Sequence, residues 1–107
     1  MPMLKIKGIT QAEVLQVSKS LIDELARIIG CPRDYFTIEL VNNNFIMDGE
    51  VVAPPTMIEV YWFDRGQTVQ DEAAQCITAH FQKERDCLDV VFYSIEHRCY
   101  YENGQHF

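Results

Sequence analysis

The sequence predicts an α+β fold, in which two βαβ repeats form a four-stranded mixed sheet with both helices on one face, plus a small β-hairpin. Four short segments alternate apolar and polar residues, and two longer segments between them repeat apolar residues every three or four positions. The same order of segments recurs at an offset of 54 residues, so that Leu4 corresponds to Ile58 and Ile6 to Val60. Such a repeat joins its strands edge to edge and leaves its helices on the same side.

The chain has room for one hydrophobic core, because 107 residues with 48% apolar content are typical of a single domain. We therefore expect one domain over residues 1–107. Its expected divisions are a first repeat at about 2–41, a hairpin at about 42–54, a second repeat at about 55–96 and a C-terminal tail at 97–107.

The first repeat begins with an alternating strand over residues 3–9. Thr10 and Glu13 then form a capping box, in which a hydroxyl and a carboxylate bind free amides of the first helical turn. Gly30 is typical of a helix C-terminus, because glycine adopts the left-handed conformation without steric cost. A second alternating strand over residues 35–41 completes the repeat.

The hairpin and the second repeat follow the same logic. Asp48 and Gly49 lie between two short apolar runs and predict a tight turn of the primed type. The second repeat then has alternating strands over residues 57–63 and 88–95. Its helix is expected to begin at a second capping signature, Thr68 to Asp71.

The charges favour a sheet in which the first strand of each repeat lies at the centre. Lys5 and Lys7 then lie between Glu39 on one neighbouring strand and Glu59 on the other, and we expect Lys5 to pair with Glu39. Each opposite-charge pair on adjacent strands adds about 0.2–1 kcal/mol. The face away from the helices also carries Met57, Tyr61, Val91 and Tyr93. A half-polar face with aromatic residues is more typical of an interface between subunits than of bare surface.

The charge balance limits the partners. Nine basic residues against sixteen acidic ones give a formal net charge of −7, and the basic residues are scattered along the chain. Such a surface repels phosphate backbones, so we expect no nucleic acid partner. No apolar run reaches the roughly 18–20 residues that a membrane span needs, and the N-terminus lacks the pattern of a signal peptide. We expect a cytoplasmic protein with no membrane partner.

The four cysteines are expected to be free thiols, because a cytoplasmic protein is in a reducing compartment. They are Cys31, Cys76, Cys87 and Cys99. They form no C-x-x-C pair, so their spacing predicts no metal site, and no cofactor motif is present. His80 lies on or beside the apolar stripe of the second helix and is expected to be a hydrogen-bonded core residue.

Several stretches resemble the tautomerase superfamily, which includes 4-oxalocrotonate tautomerase and macrophage migration inhibitory factor (MIF). They are the opening residues Met1 to Leu4, the segment Gly30 to Tyr35, and two βαβ units in a chain of this length. Residues 35–40, 59–63 and 100–107 look more specifically like an uncharacterised bacterial family of tautomerase-like proteins. That similarity covers essentially the whole chain. It implies a homotrimer whose sites lie at subunit interfaces.

The resemblance also implies a mechanism, in which Met1 is removed and the exposed nitrogen of Pro2 acts as a general base. A prolyl terminus is a secondary amine, and partial burial near cations makes its unprotonated form accessible near neutral pH. By the same resemblance Arg65, between a strand and a helix, holds the carboxylate or enolate of a small anionic substrate. The alternatives are that Pro2 simply starts a strand and that Arg65 pairs with Asp64 or Asp71.

The chain departs from the superfamily in its other cations. The place of the second substrate arginine falls near Thr37 in one repeat and Val91 in the other. The lysine of the MIF-like members falls at Cys31, and Arg33, two residues later, is either a substitute for it or a turn residue.

Three further residues are candidate substrate-binding groups. Glu39 resembles the carboxylate that activates water in some superfamily members, but we favour the alternative, in which its pairing with Lys5 explains it without catalysis. Tyr93 and Tyr101 offer aromatic rings to a planar enol, and packing is the alternative role of each.

Two functions of different classes follow. The first is a tautomerase that interconverts the keto and enol forms of a small 2-oxo acid with Pro2 as its base. The alternative is a non-catalytic trimeric module of the same fold that binds a ligand or another protein.

Overall fold

A computed structural model describes residues 2–83 and 85–107. The helices are α1 (Gln11–Ile29) and α2 (Gln67–Phe81). The strands are β1 (Met3–Lys7), β2 (Thr37–Leu40), β3 (Phe45–Met47), β4 (Glu50–Val52), β5 (Met57–Trp62), β6 (Asp89–Ser94), β7 (Tyr101–Glu102) and β8 (Gln105–His106). Single 3-10 turns at Arg33–Tyr35 and His97–Cys99 precede Phe36 and Tyr100.

The main sheet has four strands in the order β2-β1-β5-β6. β1 is parallel to β2 and antiparallel to β5, and β5 is parallel to β6. The first strand of each repeat therefore lies at the centre, and the predicted mixed sheet is confirmed. Lys5 faces Glu59 across the two central strands, and these residues are themselves 54 positions apart. The two repeats thus meet at an approximate two-fold axis near this pair.

The core lies between one face of the sheet and the two helices. Alternate residues of the central strands point into it because side chains of a strand alternate between faces. Leu4, Ile6, Ile58, Val60 and Trp62 are each at most 1% exposed. The helices cover them with Val14, Leu21, Leu25 and Ile29 from α1 and with Ala73, Cys76, Ile77 and Phe81 from α2.

The ends of α1 follow the sequence prediction. The side chain of Thr10 accepts a hydrogen bond of 3.3 Å from the backbone N–H of Glu13, and Gly30 closes the helix at φ +78°. The turn between β3 and β4 is also confirmed as the primed type, because Asp48 and Gly49 both have positive φ.

The predicted start of α2 is wrong. Gly66, not Thr68, is the residue before the first helical turn, and the helix begins at Gln67. Within the described residues no side chain caps α2, and Asp64 Oδ1 accepts a hydrogen bond of 2.8 Å from the backbone N–H of Gly66, one residue before the helix. The loop thus forms an Asx turn just before the helix, which begins one residue earlier than Thr68.

The charged pair on the open face of the sheet also differs from the prediction. The ion pair joins Lys7 Nζ to Glu59 Oε1 at 2.7 Å. Lys5 and Glu39 are neighbours in register, but within the described residues no ion pair shorter than 4.0 Å joins them. The amine of Lys5 instead lies 5.0 Å from the ring centre of Tyr61, where a cation–π interaction replaces the expected pair.

The C-terminal tail forms a second hairpin, which the sequence analysis missed. Asn103 and Gly104 both have positive φ and turn β7 back onto β8. The Asn-Gly dipeptide was the available signal, because it is the commonest sequence of a primed two-residue turn. All four cysteines are free, as predicted. Among the described residues, no helix combines the length and apolar content that crossing a membrane requires.

Candidate functional site

Pro2 lies at the start of the central strand β1 and is almost completely buried. Its carbonyl accepts a hydrogen bond of 3.2 Å from the backbone N–H of Thr37. The antiparallel register that pairs Met3 with Tyr61 continues to place Pro2 beside Trp62. The backbone thus fixes Pro2 between the ends of two strands.

Arg65 follows β5 on the loop that leads into α2. Its guanidinium lies 5.5 Å from the ring centre of Trp62, and its Nη1 donates a hydrogen bond of 2.6 Å to the carbonyl of Phe63. Because Trp62 is the strand neighbour of Pro2, both candidate residues lie at the same end of the sheet.

The positive charge of Arg65 is not taken up by a described carboxylate. Among residues 2–83 and 85–107, no carboxylate lies within 4.0 Å of its guanidinium. Asp64 accepts from the Gly66 amide instead, and Asp71 Oδ1 accepts a hydrogen bond of 2.8 Å from Gln67 Nε2. The two acidic neighbours that the sequence offered as partners are therefore engaged elsewhere, and the arginine is half-buried beside an aromatic ring.

An aromatic cluster packs next to this loop. Phe63 stacks on His97 with ring centres 4.2 Å apart and contacts Tyr100 at 5.7 Å and Phe107 at 5.5 Å. The tail hairpin brings Phe107 back onto Phe63. The sequence analysis did not include Trp62, Phe63 or Phe107 in the site, because the contact between the strand and the tail joins residues that are far apart in the sequence.

A pocket of about 250 Å³ lies beside this cluster and is lined by Asp34, Tyr35, Glu102 and Phe107. It carries two carboxylates, which repel a small anionic substrate. This pocket is therefore unfavourable for a small anion.

Two candidate substrate-binding residues, Arg33 and Tyr101, make their contacts with residues other than Arg65. Arg33 Nε pairs with Asp23 Oδ1 at 2.6 Å, which ties it to α1 as a turn residue. Tyr101 is 63% exposed on β7, and its ring contacts His106.

Glu39 and Tyr93 lie on the open face of the sheet. Glu39 is exposed on β2. Tyr93 stacks on Tyr61 with ring centres 4.7 Å apart. A hydrogen bond to Glu59 is the main cause that raises the pKa of the Tyr93 hydroxyl. The structure thus places Tyr93 in a polar cluster around Glu59, which lies three residues before Trp62 on β5.

Glu59 is the centre of that cluster and is only 7% exposed. It bonds to Lys7, and its Oε2 accepts a hydrogen bond of 3.3 Å from the hydroxyl of Tyr61. The bond from Lys7 is the main cause that lowers the pKa of Glu59. A carboxylate that stays charged and bonded in this way organises the face and is a poor proton acceptor.

The buried thiol is not a nucleophile in this state. Burial, together with a hydrogen bond to Glu24, raises the pKa of Cys76 to about 12. The thiol is therefore protonated at neutral pH, and thiols react as thiolates.

Comparison with solved structures identifies the fold. The chain is 36% identical to a protein from Sebaldella termitidis described as a domain of unknown function (DUF1904), with 100% of both chains covered and a TM-score of 0.91. A macrophage migration inhibitory factor homologue from Prochlorococcus marinus is 18% identical, with 98% of both chains covered and a TM-score of 0.75. A third structure, described as Pt0534 inactivated by 2-oxo-3-pentynoate, is 12% identical over 98% of this chain and 94% of that one, with a TM-score of 0.73.

No protein of curated function matches the chain. The family model described as "Domain of unknown function (DUF1904)" matches residues 1–106. The tautomerase and MIF fold that the sequence predicted is confirmed by the structural matches. The chain therefore belongs to the DUF1904 family and has the MIF fold.

Proposed function

We propose that the protein, after loss of Met1, is a tautomerase that interconverts the keto and enol forms of a small 2-oxo acid. Pro2 is its general base, and Arg65 holds the substrate. The observation that carries the proposal is the cation of Arg65, which lies half-buried at the Pro2 end of the sheet and pairs with no described carboxylate.

Burial prepares Pro2 for this role. Moving an amine out of water disfavours its protonated form, so burial of the Pro2 ring favours the nitrogen lone pair that a base needs. The nitrogen removes a proton from the carbon beside the 2-oxo group and returns it to the enolate oxygen, so the base is regenerated in each turnover. No cofactor is needed for this proton transfer.

Arg65 supplies the electrostatic part of the mechanism. Its guanidinium offers two parallel N–H donors to the carboxylate or to the developing enolate oxygen. Contact with the Trp62 ring and the hydrogen bond to the Phe63 carbonyl hold the group in place before the substrate arrives. The place of the second substrate arginine of the superfamily falls near Thr37 in one repeat and Val91 in the other. We therefore propose that a single arginine binds the anion here.

We further propose that the protein is a cytoplasmic homotrimer. The hairpin β3–β4 exposes large apolar side chains, and we propose that a second copy in the trimer covers them. Ile46, Met47 and Val51 are 63–69% exposed. Such a cluster is costly in water and typical of an interface. Sedimentation at micromolar concentration is expected to give about three times the chain mass of 12.4 kDa, and a stable monomer would contradict the proposal.

The test of the reaction uses untagged protein whose loss of Met1 has been confirmed by mass. We expect it to accelerate ketonisation of phenylenolpyruvate above the buffer rate. Arg65→Ala should lower kcat/KM, mainly by raising KM. Arg65→Lys should restore part of it, because an ammonium keeps the charge and loses the two-pronged geometry.

The matched control is Arg98→Ala, because Arg98 is exposed and pairs with Glu96 at 2.6 Å. It should leave the rate unchanged. A wild-type rate equal to that of buffer on several enol acids contradicts the tautomerase and leaves the non-catalytic binding module. The acetylenic 2-oxo acid that inactivates Pt0534 is a second probe, because a nitrogen lone pair adds to an electron-poor alkyne.

A further inference from the structure

Outside the proposed catalytic site, a cluster of metal-ligating side chains lies between the two helices. Glu24 of α1 and Cys76 and His80 of α2 bring a carboxylate, a thiol and an imidazole within 4.8 Å of one another. Cys76 and His80 are four residues apart, so a helix turn places them on one face. Ser20, four residues before Glu24, extends the cluster on α1.

The spacing of these atoms is close to what a tetrahedral zinc ion needs. Zinc bonds of about 2.3 Å to sulfur and about 2.0 Å to nitrogen or oxygen put sulfur about 3.5 Å from the other ligand atoms. Cys76 Sγ lies 3.4 Å from Glu24 Oε2 and 3.8 Å from His80 Nδ1. Two of the three ligand pairs are therefore already near the spacing that the ion needs, and the third lies within 4.8 Å.

The imidazole of His80 has partners that orient it. Its Nδ1 lies 2.8 Å from the carbonyl of Cys76, and its Nε2 lies 3.1 Å from the hydroxyl of Ser20. A metal-bound histidine usually donates its other ring N–H to an oxygen of this kind, which fixes the ring and its tautomer. With Nδ1 bound to the ion, Nε2–H donates to Ser20 Oγ.

We propose that Glu24, Cys76 and His80 bind one Zn²⁺ ion and thereby cross-link α1 to α2. Binding forms bonds from zinc to Sγ, Nδ1 and a carboxylate oxygen. The thiol proton passes to solvent, and the Nδ1 proton moves to Nε2 as the contact with the Cys76 carbonyl opens. Glu24 is exposed, so water completes the tetrahedron.

The set of ligands favours zinc over the common hard cations. Magnesium and calcium prefer oxygen ligands, whereas a thiolate with an imidazole is typical of zinc. The charges also agree, because one thiolate and one carboxylate neutralise the two charges of the ion.

The test is a zinc titration of the full-length protein against a chromophoric chelator, with cobalt as the spectroscopic substitute. We expect one equivalent per chain, and a thiolate-to-cobalt charge-transfer band with the intense visible absorption of tetrahedral cobalt. Removing an outer partner of a metal ligand commonly costs 10–100-fold in affinity. Cys76→Ser and His80→Gln should therefore each weaken binding by about 100-fold or more, and Glu24→Gln by at least about tenfold.

Cys87→Ser is the matched control, because Cys87 also has a carboxylate neighbour, Asp89 Oδ1 at 3.8 Å, but belongs to no three-ligand cluster among the described residues. It should bind zinc like wild type. Glu24 and His80 are not fully buried, so their variants remain folded and informative even if Cys76→Ser unfolds, as circular dichroism will show. Absent binding, or binding that survives His80→Gln and Glu24→Gln unchanged, overturns the site and leaves a hydrogen-bonded cluster.

Discussion

The two ends of the central sheet share a backbone hydrogen bond but carry different side chains. At one end, the carbonyl of Pro2 accepts a hydrogen bond from Thr37 N–H at 3.2 Å. At the other, the carbonyl of Thr56, which is 54 residues later, accepts one from Asp89 N–H at 3.1 Å. The repeat therefore forms the same backbone hydrogen bond twice. A proline carbonyl accepts it at one end, and a threonine carbonyl accepts it at the other.

The two ends differ in the side chains that follow the central strands. At the repeat offset Trp62 corresponds to Gly8, and Arg65 to Gln11. Gly8 is held at φ +77° against the backbone of Pro55, where no side chain fits. The Pro2 end instead carries an aromatic ring and a cation. The repeat thus builds the fold, and the proposed chemistry depends on residues that break the repeat.

The largest expected effect contrasts Pro2 with its repeat partner. Pro2→Ala should lower the rate of phenylenolpyruvate ketonisation by roughly 10²–10⁴-fold, because a positioned proton transfer is worth that much. The alanine amine is primary and differently placed, so some activity remains. Thr56→Ala should leave kcat unchanged. Equal loss in both variants means that the change acts through the fold and not through a base.

The next effect concerns stability at the Gly8 end. Gly8→Ala should lower the free energy of unfolding by about 3 kcal/mol, because the added Cβ collides with the Pro55 carbonyl and the left-handed backbone is itself unfavourable for alanine. Gly30→Ala has the same strained φ with open space around it, and should cost only about 1 kcal/mol. Urea denaturation measures both, and equal losses contradict the close approach.

The comparison also shows what the sequence could predict. Periodicity predicted the strands and the face that each strand buries, because burial of one face fixes which residues point inward. Local signals with one dominant geometry, such as Thr10 with Glu13 and Gly30, were predicted correctly. The cap at Thr68 was wrong because the helix already begins at Gln67, directly after an Asx turn in which Asp64 accepts from the Gly66 amide.

Contacts between distant segments were beyond prediction. The ion pair forms between Lys7 and Glu59 and does not involve Glu39, because it depends on the direction that a long lysine side chain takes on the open face of the sheet. The contact of Cys76 with Glu24 joins residues 52 positions apart on two helices. Neither leaves a spacing motif in the sequence.

A smaller effect separates two glutamates on the open face of the sheet. Glu59→Gln should lower the free energy of unfolding by about 1–3 kcal/mol, because it leaves a half-buried Lys7 without its charged partner. Glu39→Gln, at an exposed position, should change it by less than about 0.5 kcal/mol. A thermal or urea transition measures the difference, and a larger loss for Glu39→Gln contradicts the network.

The smallest effect is in the acid dependence of stability. Hydrogen bonds from Lys7 and from Arg85 lower the pKa of Glu59 and of Glu13, respectively, below the ordinary 4.5. The unfolded chain then binds more protons than the native one in this range, so stability is present above about pH 4.5 and is lost as the pH falls through the lowered values. Urea midpoints between pH 6 and pH 3 should fall less steeply in Glu59→Gln. An unchanged slope means that Glu59 has no lowered pKa.

The most direct test of the central claim is the mass of the untagged protein before and after treatment with 2-oxo-3-pentynoate. We expect a chain that lacks Met1 and gains one reagent per chain, with fragmentation placing the adduct on Pro2. Arg65→Ala should slow the labelling, because the carboxylate of the reagent then has no cation to bind. Retained Met1, or an adduct on a residue other than Pro2, would contradict the assignment of Pro2 as the base.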